Sequence, residues 1–340
     1  MFRLSLLLFG VALLLSSAAL AWARREPARS SYLLAFAANP GGDADLFLLA
    51  PGGGRPRALV TLPSEDFYPT WSPDGRWLAF SARDQSGVYT RIAKVRPSGQ
   101  DLRDLSEIAG GLKDWPAWSP RGDEIAYVSY ERHGQPEIGL MAADGSGARL
   151  LLLNRYPLSG PQWSKNGDSL FFVLEDSMSM HALRPGDGDL KGNYSLPHVR
   201  AYDLHLGPDG RFWYVEFTQG YSQIHAWTAE GGEAYRLPNP GQESQLGPSP
   251  SPDGRWLYYT QDNRLARYDL QAGRVENISP GLGAYELFPT PSPVIALPWR
   301  GWVNVGLGVL LLGGLRKGRG RRIGINLRPS EVQEMREVGW

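Results

Sequence analysis

A short pattern closing on glycine returns five times along the middle of the chain. It reads Trp71-Ser72-Pro73-Asp74-Gly75, then WSPRG at 118–122, WSKNG at 163–167, LGPDG at 206–210 and PSPDG at 250–254. The closing residues Gly75, Gly122, Gly167, Gly210 and Gly254 follow one another at intervals of 47, 45, 43 and 44 residues. A period of roughly 40–45 residues is that of a four-stranded propeller blade. Proline fixes φ, Asp or Asn bonds its own backbone, and Gly takes a positive φ, so each copy predicts a turn that reverses one strand into the next. With 41 Gly and 27 Pro in 340 residues, the composition argues against a helical bundle.

Each turn precedes an aromatic-rich strand candidate: 76–82, 124–130, 169–175, 211–217 and 255–261. Aromatic and β-branched side chains suit the faces between neighbouring sheets. Third strands are expected at 90–95, 137–143 and 223–229, and short fourth strands at 148–153, 234–238 and 274–279. The chain is therefore read as all-β, with four strands per repeat.

The turn Trp71-Ser72-Pro73-Asp74-Gly75 and its four echoes, with the glycine turn Asp144-Gly145-Ser146-Gly147, resemble the TolB-like β-propeller repeat. The same repeat is found in the propellers of prolyl-oligopeptidase-like peptidases. The resemblance covers residues 30–293. The third and fourth copies depart from it, with Lys165-Asn166 in place of Pro-Asp and Leu206-Gly207 in place of Trp-Ser. It implies a propeller that binds partner proteins at the cell envelope.

The ends of this region predict how the ring closes. Segments 32–36, 45–50 and 57–62 read as second, third and fourth strands with no first. Glu286-Leu287-Phe288-Pro289-Thr290-Pro291-Ser292-Pro293 matches Asp66-Phe67-Tyr68-Pro69-Thr70-Trp71-Ser72-Pro73 in residue type except at Trp71/Pro291. The expected architecture is a six-bladed β-propeller, closed by a C-terminal strand joining the N-terminal blade. Closure removes sheet edges that would otherwise template aggregation.

Two apolar segments flank it. Leu4–Ala23 is twenty residues without a charge, long enough to span a bilayer core of roughly 30 Å. Ala21-Trp22-Ala23 also fits a cleavage site, so residues 1–29 read as a membrane anchor or a signal peptide. Gly301–Leu315 lies in a second candidate transmembrane helix, 294–316, before a basic tail, 317–340. The five basic residues within Arg316–Arg322 point to the cytoplasmic side and to anionic lipid headgroups. The expected location is the cell membrane, with the propeller extracytoplasmic. Ser330 and Gln333 fit the capping box of a short tail helix.

Chemistry is sparse. With no Cys, disulfides, Cys-ligated zinc and Cys nucleophiles are excluded. The five His (133, 181, 198, 205, 225) show no metal-ligand spacing, and Asp43-Ala44-Asp45 and Asp187-Gly188-Asp189 do not continue as calcium loops. There is no nucleophile elbow, phosphate loop or dinucleotide fingerprint. Zero net charge offers no attraction for nucleic acid. No catalytic residue, metal or cofactor is therefore expected, and the chain is read as not an enzyme. Residues 294–340 hold no counterpart of the hydrolase domain that the resembling peptidases carry.

The expected role is a protein- or peptide-binding scaffold or sensor. Its contact face is placed on the loops joining second to third strands and fourth strands to the next blade. That polar funnel comprises Glu65, Asp66, Arg83, Asp84, Lys113, Asp114, Glu131, Arg132, His133, Arg155, Tyr156, Tyr221, Gln242, Glu243, Asp262 and Asn263. Two alternatives stand beside it: a hydrolase or lyase with its site in the channel mouth, and a sensor signalling through the tail. A carboxylate or histidine cluster on the funnel floor, closer than about 5 Å and with perturbed pKa values, would favour the enzyme.

Overall fold

The computed structural model describes residues 32–87, 89–106, 112–130, 135–153, 160–174, 179–195, 201–218, 220–228 and 235–293. Twenty-four strands among these residues form six antiparallel four-stranded sheets. Five sheets are built in chain order. They are β4–β7 (Glu65–Trp71, Leu78–Arg83, Thr90–Val95, Arg103–Asp104) and β8–β11 (Lys113–Trp118, Glu124–Ser129, Glu137–Ala142, Arg149–Leu153). Next come β12–β15 (Gln162–Trp163, Leu170–Leu174, Ser179–Leu183, Leu190–Ser195) and β16–β19 (Ala201–Leu206, Phe212–Thr218, Tyr221–Trp227, Tyr235–Arg236). The last is β20–β23 (Gln245–Pro250, Trp256–Gln261, Arg264–Asp269, Arg274–Asn277).

The sixth sheet is composite. It orders β24 (Glu286–Pro291) beside β1 (Leu34–Ala38), β2 (Asp45–Leu49) and β3 (Arg57–Val60). The closure expected from the matching segments is therefore present, with Leu34 opposite Pro291 and Ala38 opposite Glu286. Side chains latch it: Ser292 Oγ accepts from the Leu33 amide at 3.0 Å, and Asn39 Oδ1 accepts from the Ala284 and Tyr285 amides at 2.8 and 3.0 Å.

The glycine turns show why the motif recurs. Ser72 Oγ donates to Asp74 Oδ1 at 2.6 Å and accepts from the Trp77 amide at 3.0 Å, while Gly75 sits at φ 68°. In WSPRG, Arg121 occupies the Asp position and Asp123 takes over as the acceptor of Ser119 Oγ at 2.7 Å. In WSKNG, Asn166 does the same for Ser164 at 2.8 Å. The altered copies thus keep the turn.

The core is distributed. Six apolar clusters fill the six seams between neighbouring sheets, alternating along each strand as a pleated surface requires. Phe80 packs with Ala35 and Leu46 across one seam, and Tyr258 with Leu34 and Phe36 across the closing one. Trp71 Nε1 donates to the Thr290 carbonyl at 3.1 Å and Trp163 Nε1 to that of Ala117 at 3.0 Å, so these two motif tryptophans each tie their sheet to the one before it.

The two apolar segments and the basic tail lie outside the described residues. Among the described residues no helix is long and apolar enough to cross a membrane.

Candidate functional site

The first strand of every blade, β4, β8, β12, β16, β20 and β24, faces a central cavity of about 760 Å³. In each strand the lining runs from a point near the strand's middle to the succeeding turn, as in Tyr68–Pro73, Trp115–Trp118 with Pro120, and Phe288–Pro291 with Pro293. The cavity thus occupies the half of the channel nearest the glycine turns.

Its inner end is made by a bulge repeated from blade to blade. In β4, Phe67 opposes Ser81 and Thr70 opposes Ala79, so Tyr68 and Pro69 together face one partner residue. The same shift occurs at Trp115-Pro116, Asp203-Leu204, Gly247-Pro248 and Phe288-Pro289. The first residue of each bulge is left-handed: φ is 51° at Tyr68, 52° at Trp115, 55° at Asp203, 59° at Gly247 and 54° at Phe288. Outside glycine this costs about 1–3 kcal/mol each and persists where the surroundings impose it. Proline follows four of the five because the second bulge residue has no ladder partner to lose.

These residues touch in a ring. The Tyr68 ring lies 4.3 Å from that of Phe288 and 5.4 Å from that of Trp115, centroid to centroid. A Cβ on Gly160, which precedes Pro161 in the same place, would meet Trp115 Cβ at 3.0 Å. One on Gly247 would meet Phe288 Cα at 3.3 Å. The Gly247 amide donates to Asp203 Oδ2 at 2.7 Å. Three half-buried aromatics therefore stand on one side of the constriction, and two glycines and a carboxylate on the other. Phe67 and Tyr285 extend the aromatic side, stacked at 6.5 Å. Burial, with the carboxylates of Asp114 and Asp203 nearby, pushes the Tyr68 hydroxyl pKa upward, so it remains a donor.

Asp203 also meets His205, Oδ1 to Nε2 at 3.3 Å, and both line the cavity. Lys165 is exposed at the rim. Among the described residues no three of His, Asp and Glu gather closely enough to hold a metal ion.

None of the eleven funnel residues that the structure describes lines this cavity. Glu131, Arg132, His133, Arg155 and Tyr156 lie outside the described residues. Glu65 opens β4 and pairs with Arg83 at 3.8 Å; Arg83 stands 5.7 Å from the Phe67 ring. Asp84 closes its own turn on Ser86 and the Tyr89 amide. Asp66, Lys113 and Asp114 are buried in the seams rather than displayed on loops. Lys113 lies 5.6 Å from the Tyr127 ring. Burial raises the pKa of Asp114, against the Ser81 hydrogen bond, and pushes that of Asp66 up to about 7. The rest gather on the fourth and fifth blades. Tyr221 accepts from Arg236 at 2.8 Å, Gln261 donates to Glu243, and Asp262 accepts from the Ser244 amide at 2.9 Å. The Asn263 carbonyl takes the Glu286 amide at 2.9 Å, and Tyr221 and Gln242 border a shallow pocket.

The chain superposes on the crystal structure of TolB from Acinetobacter baumannii at a TM-score of 0.65 and 18% identity, over 77% of this chain and 67% of that one. The fold is that of the TolB-like propellers. A propeller in a nidogen/laminin complex superposes at a TM-score of 0.58 and 13% identity, over 77% of this chain and 98% of that one. No protein-family model matches the sequence.

Curated relatives are more distant in extent. Protein Atu1656 of Agrobacterium fabrum is 32% identical over 116 residues, 31% of this chain and 38% of its own length. Peptidase YuxL of Bacillus subtilis is 26% identical over 205 residues, 56% of this chain and 29% of its own. The lasso peptide isopeptidase AtxE2 of Asticcacaulis excentricus is 24% identical over 140 residues, 34% of this chain and 18% of its own. The chain thus spans well under half the length of each.

These names correct the expectation that this TolB-like chain is not an enzyme. Of the three relatives, one is named a peptidase and another an isopeptidase. The search for an elbow or a metal motif tested particular ways of building a hydrolytic site. The Asp203–His205 contact beside the channel arises at a bulge, between residues two apart in sequence.

Proposed function

We propose that this TolB-like propeller is a peptide-handling module whose central cavity takes an extended segment of a protein or peptide. The observation that carries this reading is the cavity itself: about 760 Å³, reached from the glycine-turn side, with half-buried aromatic rings at its inner end. Such a concave space with a few fixed polar groups is the usual form of a recognition site. The protein-bound propeller of the nidogen/laminin complex and the peptidase names among the relatives both support a peptide as occupant. The same names favour a second reading, in which the bound peptide is also cut.

The test is isothermal titration of the full-length chain with a library of capped pentapeptides, alongside fluorogenic peptide hydrolysis. Trp115→Ala is expected to weaken binding roughly five- to thirtyfold, the ratio that losing ~1–2 kcal/mol of aromatic contact produces. Unchanged affinity in that variant refutes the site. Turnover lost in His205→Gln would support the second reading.

The module is placed outside the cytoplasm, held by Leu4–Ala23 and Gly301–Leu315, with Arg316–Arg322 against anionic headgroups. Reporter fusions at residue 293 and at the C-terminus test this: the first should report the outer side and the second the cytoplasm.

A further inference from the structure

The three half-exposed tryptophans among the described residues are Trp77, Trp115 and Trp256. Two are covered by cations of the chain itself. Lys94, Arg96 and Arg103 lie 4.6, 4.5 and 5.5 Å from the Trp77 ring, and Arg255 and Arg267 lie 4.9 and 3.8 Å from that of Trp256. Trp115 is different. Among the described residues no Lys or Arg lies over it, over Tyr68 or over Phe288, although these rings stand together in the constriction. Asp203 shares that constriction.

We propose that the inner end of the cavity is a cation seat, in which Tyr68, Trp115 and Phe288 offer aromatic rings and Asp203 a carboxylate to a guanidinium or ammonium group on an extended peptide. This rests on the reading of the cavity as a peptide site and names what that site selects. Grouped rings draw a cation through their quadrupoles, and more so where water is excluded. A carboxylate opposite them completes the charge balance and repels an anionic ligand. Asp203 keeps its acceptor role toward the Gly247 amide with one oxygen, leaving the other for His205 or the ligand. Of the chain's own cations near the seat, Arg83 is engaged by Glu65 beyond the constriction, and Lys165 stands at the rim.

The experiment is isothermal titration of the full-length protein with acetylated, amidated Gly-Ala-Arg-Ala-Gly, with the same peptide carrying citrulline for arginine, and with butylguanidinium. The arginine peptide should bind at least about tenfold more tightly than the citrulline one. Asp203→Asn, which retains an acceptor for Gly247, should abolish most of that preference by weakening the arginine peptide far more than the citrulline one, with the thermal midpoint unchanged. Tyr68→Leu should reduce it as well. Equal affinity for the two peptides in the wild type overturns the seat and leaves the peptide site standing. Butylguanidinium binding that depends on Asp203, with neither peptide bound, upholds the seat and overturns the peptide reading. Binding of none of the three overturns both.

Discussion

Replacing Glu286 by alanine should loosen the ring at its closing strand. The side chain is fully buried. One carboxylate oxygen accepts from the Leu282 amide at 2.7 Å and the other from the Leu265 amide at 3.3 Å, with Arg264 Nη1 3.7 Å away. Leu265 belongs to the neighbouring blade, so this carboxylate ties β24 to β22 while the main chain of β24 pairs with β1. Alanine would strand two amides, one of them in the buried seam. At about 1–3 kcal/mol per stranded buried donor, the loss is ~2–5 kcal/mol. For a domain of this size each kcal/mol moves the melting point by about 2–4 °C, so a fall of ~4–20 °C is expected. Glu286→Gln keeps one acceptor and should lose about half as much. Calorimetry gives the midpoint. Hydrogen exchange at Leu34–Ala38 and Leu265 tells whether the closing seam opens first. A drop under about 2 °C, the shift expected from a single kcal/mol, would refute the argument, as would exchange that rises evenly over all six blades.

Asp66→Asn should flatten the pH dependence of stability. Burial lifts the Asp66 carboxyl to about 7, above its unfolded value, so the native state holds the proton more tightly. Stability from this group is therefore full in acid and declines as pH rises from about 4 through about 7. The variant should lose that decline and melt higher than wild type at about pH 8, one unit above the folded value; an unchanged profile in thermal melts counts against it. Gly145→Ala should destabilise by about 1–3 kcal/mol in urea titrations, because φ is 91° there and the new Cβ would stand 2.7 Å from the Leu105 carbonyl oxygen. A neutral result would mean that the turn moves freely.

The blades were legible because their turns depend on local chemistry. Ser72 and Asp74 bond to each other and to nearby amides, so the pattern in the chain is the pattern in the fold. The closing strand was legible for the same reason, since Phe288-Pro289 copies Tyr68-Pro69 down to the left-handed residue. The constriction was not. A residue before proline is ordinarily extended, so nothing local announces a positive φ at Tyr68, Trp115 or Phe288. It is imposed by the ladder across each bulge and by ring contacts between blades. An aromatic or a glycine set directly before proline, ahead of four of the five turns, was the available clue. The funnel residues were read as loop tips because charge suggests exposure. Asp66, Lys113 and Asp114 instead begin inner strands, where the next blade covers them.

The composite sheet also sets a timetable for synthesis. β1 leaves the ribosome long before β24, yet the partner for its channel-side edge ends at Pro291. At roughly 5–20 residues per second, that edge waits on the order of ten seconds to a minute before its partner exists. Through that interval the nascent chain carries an unfilled row of hydrogen-bonding groups beside the apolar Leu34-Ala35-Phe36-Ala37 stretch. A chaperone holding the growing chain has a definite task here, which ends when the last strand slots home.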